Sequence, residues 1–223
     1  MCRRIRFVRC GRRTMATSNA GRERILARIR KARGHEASAA GAAEAIFPLI
    51  PDPMQRFLAE CEANLTRVHR AVSNVQSAAI LSQIVSELPA GAIYVEDDPV
   101  LRRLCVSIEE RKILLSSEGR APEDCVATLT LCDGLVAQTG SILTSSRHGG
   151  RGGSIVAPTH IVYATTDQLL PDVTSALRLA ARDTERASYI GLISGSSRTA
   201  DIEKILVQGA HGPVRVDIIL EQR

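Results

Sequence analysis

The sequence predicts an α/β protein in which N-terminal helices precede a mixed, mostly parallel sheet with flanking helices. Three observations carry this expectation. Apolar residues recur at three- and four-residue steps through roughly the first 90 positions. After Gly91 the texture changes to short runs rich in Val, Ile and Leu. Strands that alternate with helices imply a sheet with right-handed crossovers wherever its strands are parallel.

The elements follow in order. Residues 22–33 place Ile25, Ile29 and Ala32 on one helical face, and "GHEASAAGAAEA" (34–45) reads as a small-residue linker. Residues 53–72 set Met54, Phe57, Leu58, Cys61, Leu65, Val68 and Val72 in a second helical stripe. A third helix runs from Val75 to Leu88 and is stopped by Pro89 and Gly91. The β-type runs are 92–96, 112–117, 134–138, 141–146, 154–158 and 160–165. A long helix near 167–182, a strand at 189–194, a helix near 199–208 and a strand at 214–220 complete the chain. The runs from 134 to 165 leave no room for helices, so one or two antiparallel hairpins are expected among them. The expected organisation is a basic tail over 1–14, a helical segment over 15–90 and an α/β domain over 91–223.

Charge narrows the function classes. The formal charge is +5, yet six of the 29 Lys and Arg are Arg3, Arg4, Arg6, Arg9, Arg12 and Arg13. Without them 23 bases face 24 acids, so the folded part is nearly neutral. Aromatic residues make up 3% and Trp is absent, which leaves little for base stacking. Nucleic acid is therefore not an expected partner. No apolar run approaches the ~20 residues of a membrane helix, so no membrane association is expected either. Met15 opens an amphipathic helix in "MATSNAGRERILARIR" and reads as the natural start. Residues 1–14 are then a tail that is disordered or not translated.

The cysteines (2, 10, 61, 105, 125 and 132) lack the close pair that clusters and structural zinc sites use. They read as reduced and structural, in a cytoplasmic protein. No dinucleotide fingerprint is present either. No metal and no cofactor is expected in this chain.

Three stretches carry candidate chemistry. In "SSRHGGRGGS" (145–154), four glycines lie among Arg147, His148 and Arg151. Such a loop either cradles a small carboxylate or phosphate between its guanidiniums, or is an exposed hairpin tip facing water. In "LCDGLVAQTGSIL" (131–143), Asp133 orients a substrate group or closes an Asx-turn, and the residues alone favour the turn. In "GSSRTADIEKILVQGAHGP" (195–213), Ser196, Ser197, Arg198 and Thr199 precede a helix that ends at Gly209. A helix start favours an anion, whereas Asp201 in the first turn already complements the dipole. His148, His160 and His211 have no spacing that fixes a metal site.

Three segments carry a resemblance. "DGLVAQTGSIL" (133–143), "PTHIVYA" (158–164) and "SGSSRTADIEKILVQGAHGPVRVDIIL" (194–220) resemble the LUD domain. With "RERILARIRKA" (22–32), the chain over 15–223 resembles the C-type lactate utilization family of bacteria. The resemblance implies a fold akin to the ribose-5-phosphate isomerase and CoA-transferase group. It also implies an accessory, substrate- or anion-binding role in oxidising L-lactate to pyruvate. The expected partners are A- and B-type proteins that carry iron–sulfur clusters. The other readings are a stand-alone enzyme for a phosphorylated sugar or acyl-CoA, or a regulatory ligand-binding domain. The family usually has Glu where this chain has Gln138, before Thr139 and Gly140. A Gln is no carboxylate base or nucleophile, so CoA-transferase chemistry does not carry over. The candidate binding residues are Asp133, Gln138, Thr139, Gly140, Arg147, Arg151, Ser196, Ser197, Arg198, Thr199, Asp201 and His211.

Overall fold

The computed structural model describes residues 19–33, 48–108, 112–119, 122–182, 187–200, 206–208 and 212–223. The tail over 1–14 and the linker over 34–45 lie outside the described residues. The chain divides into two compact units, 1–48 and 49–223. The first contains helix α1 (Asn19–Arg33), which covers the helix expected over 22–33.

The second unit opens with α2 (Pro53–Ala63), β1 (Thr66–Ala71), α3 (Asn74–Ser86), β2 (Ala92–Val95), α4 (Pro99–Leu104), β3 (Ile113–Leu115) and β4 (Cys125–Thr130). Then come β5 (Gly134–Val136), β6 (Ser141–Ser145), β7 (Thr159–Thr165), β8 (Leu169–Leu170) and α5 (Val173–Arg182). The last elements are β9 (Ile190–Ile193), β10 (Arg198–Ala200), β11 (Leu206–Gln208) and β12 (Arg215–Glu221). Side-chain caps fix three helix starts. Asp52, Ser73 and Asp98 each accept a backbone N–H of the first turn, and proline follows both aspartates.

The main sheet has six strands in the order β1-β12-β7-β4-β2-β3, and every neighbouring pair is parallel. All seven residues of β7 are buried, as a central parallel strand covered on both faces requires. Alternation along β12 divides the core. Val216, Ile218 and Leu220 join Phe57 and Cys61 of α2 on one face. Ile219 joins Leu81 and Ile84 of α3 and Leu101 and Leu104 of α4 on the other. Asp217 is fully buried on β12, where it accepts from His69 at 2.8 Å and is paired with Arg215. Arg215 in turn bridges to Glu87 at 2.9 Å.

A second, four-stranded sheet has the order β8-β5-β6-β9. The antiparallel pair β5–β6 is the hairpin expected between 134 and 165. Ala176 and Val173 of α5 pack against Val136 and Leu143 of this sheet. The antiparallel pairing is thus confined to a sheet of its own and to the small β10–β11 pair, while the main sheet is wholly parallel.

Four expectations are corrected. The helix expected over 53–72 ends at Ala63, and Leu65 turns the chain with φ +58° into β1. Leu65, Val68 and Val72 fit a helical stripe, but Thr66 and Val68 also fit the period of two that the strand uses. Strand β4 was not expected, because Cys, Ala and Thr give it little hydrophobic contrast. Residues 154–158 are turns and bends, so no strand forms there. The helix expected near 199–208 is replaced by β10 and β11, paired antiparallel with Arg198 opposite Gln208. "ILVQ" (205–208) is an apolar run that suits a strand equally well. Without that helix, the argument for an anion at its start falls.

Candidate functional site

Parallel strands open their carboxyl ends along one edge, and ligands of such sheets bind in the crevice there. The chain leaves β2 at Glu96 and leaves β4 through Leu131 to Asp133. Glu96 is fixed at once: its N–H donates to Leu129 O at 2.9 Å, and its Oε2 accepts from Leu131 N at 2.8 Å. Strand β6 then delivers Arg147 and His148. The His148 N–H donates to Ser145 O at 3.0 Å, a tight turn that aims the imidazole back at both carboxylates.

His148 Nδ1 lies 3.0 Å from Glu96 Oε1, and its Nε2 lies 3.1 Å from Asp133 Oδ1. Arg147 Nη2 donates to the same Asp133 Oδ1 at 2.7 Å. The side chains of His148, Glu96 and Asp133 are 15%, 11% and 14% exposed, so three ionisable groups meet largely out of water. A neutral imidazole donates from one nitrogen alone and would turn the other lone pair on a carboxylate. The geometry therefore selects the imidazolium. Burial opposes that charge, but the bonds and charges of Asp133 and Glu96 overcome it and lift the His148 pKa to about 9. Burial likewise opposes the Asp133 carboxylate, and His148, Ser145 and Arg147 hold its pKa below the usual value.

Both ring nitrogens of His148 are committed, which leaves no lone pair for a general base. The cluster is suited to hold charge in place and to orient a neighbour. Beside it lies a cavity of about 250 Å³ lined by Asp133, Ser145 and Arg147 together with apolar Leu143, Leu179 and Ile190. Among the described residues, no group of three or more His, Cys, Asp or Glu is placed to hold a metal ion.

The glycine-rich stretch is no hairpin tip. Strand β6 pairs with β5 and β9, and the segment after it crosses to the main sheet. Gly149 (φ +68°) accepts from Tyr94 Oη at 3.3 Å, and a Cβ there would stand 3.3 Å from Thr130 Cγ2. The glycine lets the backbone lie on the sheet face. Arg151 turns elsewhere, donating to Ser188 Oγ and O at 3.2 and 3.3 Å. The two arginines therefore do not converge on one ligand.

The remaining expected residues fall apart from this cluster. Gln138 Oε1 accepts from Val173 N at 3.2 Å and so anchors the start of α5. Thr139 O accepts from Asn64 Nδ2 at 2.9 Å, and Gly140 packs on the end of α2. A hydroxyl chain links Thr139, Ser141 and Ser194 at 2.7 and 2.6 Å. Ser196 is buried, and Ser197 N donates to Pro213 O at 2.7 Å. Arg198 and Thr199 start β10, while Asp201 and His211 lie outside the described residues. His160 is buried apart from His148, 2.9 Å from Thr130 Oγ1, and burial lowers its pKa to about 4.

Of the expected residues, Asp133 and Arg147 meet. The sequence reading missed Glu96 and the central place of His148. An acid ending the apolar run "AIYVE" was the available signal for Glu96. Nothing in the spacing of 96, 133 and 148 announces that they converge.

A parallel sheet whose strand ends carry the Glu96–His148–Asp133 cluster, with a second, smaller sheet and a cavity beside it, defines the chain as an α/β domain. Residues 119–220 match the LUD domain family. It is similar to lactate utilization protein C of Deinococcus radiodurans, with 32% identity over 96 residues, 42% of this chain and 45% of that protein. It is also similar to lactate utilization protein C of Anoxybacillus flavithermus, with 29% identity over 167 residues, 70% of this chain and 76% of that protein. The match thus spans less than half of the first relative and about three quarters of the second. A crystal structure of a DUF162 family protein from Deinococcus radiodurans shares the fold. Its TM-score is 0.59 at 18% identity, covering 76% of this chain and 96% of that one.

Proposed function

We propose that this chain acts in lactate utilization as a binding component and not as a self-sufficient oxidase. The likeness to proteins named lactate utilization protein C supports the pathway. The state of His148 supports the role. An imidazolium pinned between two carboxylates cannot take the proton that dehydrogenation of a 2-hydroxy acid releases. The thiols point the same way. Burial pushes Cys61 and Cys132 up to about 12 and Cys105 to about 11, so they stay protonated and inert. The chain's share is to bind and orient a small carboxylate, and the two electrons pass to iron–sulfur centres in partner proteins.

The test is twofold. Deleting the gene should abolish growth on L-lactate, and the purified chain should not reduce an artificial acceptor with L-lactate. Adding the iron–sulfur partners should restore lactate-dependent reduction. Robust reduction by the isolated chain, or unimpaired growth of the deletion strain, would contradict the proposal.

A further inference from the structure

We propose that the 250 Å³ cavity beside Asp133 binds a monocarboxylate with a branched or aromatic body, its charge held by Arg182. This goes beyond the binding role proposed above and takes its ligand from the cavity alone. The cavity lies between the β6–β9 edge of the second sheet and the carboxyl-terminal turn of α5.

The charges of its described lining residues limit the ligand to a single negative charge. Arg147 already serves Asp133, and the Asp133 carboxylate is itself part of the lining. His148 is matched by Glu96 and Asp133. Arg182 also lines the cavity and, among the described residues, makes no ion pair. One guanidinium that is unmatched among the described residues suits one carboxylate, which it can grip bidentately. A phosphate dianion would leave a second charge facing Asp133.

The walls call for an apolar body. Leu143 is buried at the base, while Ile190 and Leu179 remain 46% and 39% exposed beside the same space. An apolar group seated there would cover both. The space equals about eight water volumes at ~30 Å³ each, more than a three-carbon hydroxy acid fills. Ser145 also lines the cavity, its hydroxyl already serving Asp133.

Calorimetry on the full chain would compare 4-methylpentanoate, its neutral amide, L-lactate and inorganic phosphate. The acid should bind, while the amide and L-lactate should each bind roughly tenfold or more weakly. Arg182→Gln should weaken acid binding by a similar factor, and phosphate should not bind measurably. The exposed position of Arg182 makes this variant safe for folding, which its thermal midpoint would verify. The proposal is overturned if the acid fails to bind at ~10 mM, a weak limit on the affinity scale. It is equally overturned if the amide or the variant matches the acid and wild type, if L-lactate binds as tightly, or if phosphate binds better. Growth on L-lactate tests the pathway separately, so the two failures are distinguishable.

Discussion

Replacing His148 with alanine should destabilise the second unit by about 3 kcal/mol, because removing one partner strands the others' buried charge. The variant leaves Glu96 and Asp133 facing each other, largely buried, with no cation between them. Arg147 still serves Asp133, and Leu131 N still serves Glu96. That places the loss toward the low end of the 3–5 kcal/mol typical of a broken buried pair. In a unit spanning residues 49–223, the thermal midpoint should fall by roughly 6–12 °C. The effect also has a pH signature. The folded His148 pKa is raised from about 6.5 to about 9. Its stabilisation is therefore complete below the ordinary value and lost as pH rises through about 9. The gap between wild type and variant should shrink over that window. A gap that is absent at neutral pH, or constant from pH 6 to 10, would show that His148 is not holding these carboxylates.

Gly140→Ala should cost a comparable amount, about 3 kcal/mol, from strain and overpacking together. Gly140 has φ +59°, and an added Cβ would lie 2.7 Å from both Cys61 N and Glu60 C. Those are backbone atoms at the end of α2, so no side chain can swing aside. Gly150→Ala is the control, since Gly150 has φ +74° but nothing within 4 Å of the added carbon. It should lose only the left-handed conformational penalty of roughly 1–2 kcal/mol. Equal losses in the two variants, read from denaturant midpoints, would remove the packing argument at Gly140.

The contrast between these glycines shows what a sequence conveys. Turns and strands are local: the 139–140 turn and the β5–β6 hairpin follow from residue type and spacing. The α/β class was equally legible, from the change in periodicity after Gly91. Two of the wrong elements had two valid periods. Leu65, Val68 and Val72 suit a helix by spacing, and the sheet claimed Thr66–Ala71 because β12 offered a hydrogen-bonding edge. "ILVQ" (205–208) was lost in the same way.

The candidate site divides along the same line. Asp133 and Arg147 stood out as a strand-end acid and an arginine beside glycines, and they meet. Their partners did not stand out, because Glu96 is 52 residues from His148 and reaches it only when β2 lies beside β4. Gln138 illustrates the reverse. The resemblance drew attention to it as the place of a missing carboxylate, and its amide is spent on the first N–H of α5. Removing a charge there changes how a helix is anchored.

Held by Glu96 and Asp133, His148 is a fixed cation that organises this cluster and takes no part in proton transfer. Following its imidazole ¹⁵N resonances from pH 5 to 11 tests this most directly. Both nitrogens should stay protonated through neutrality, and the ring should titrate near pH 9. A neutral ring at pH 7, with one nitrogen bare, would contradict it and would restore His148 as a base.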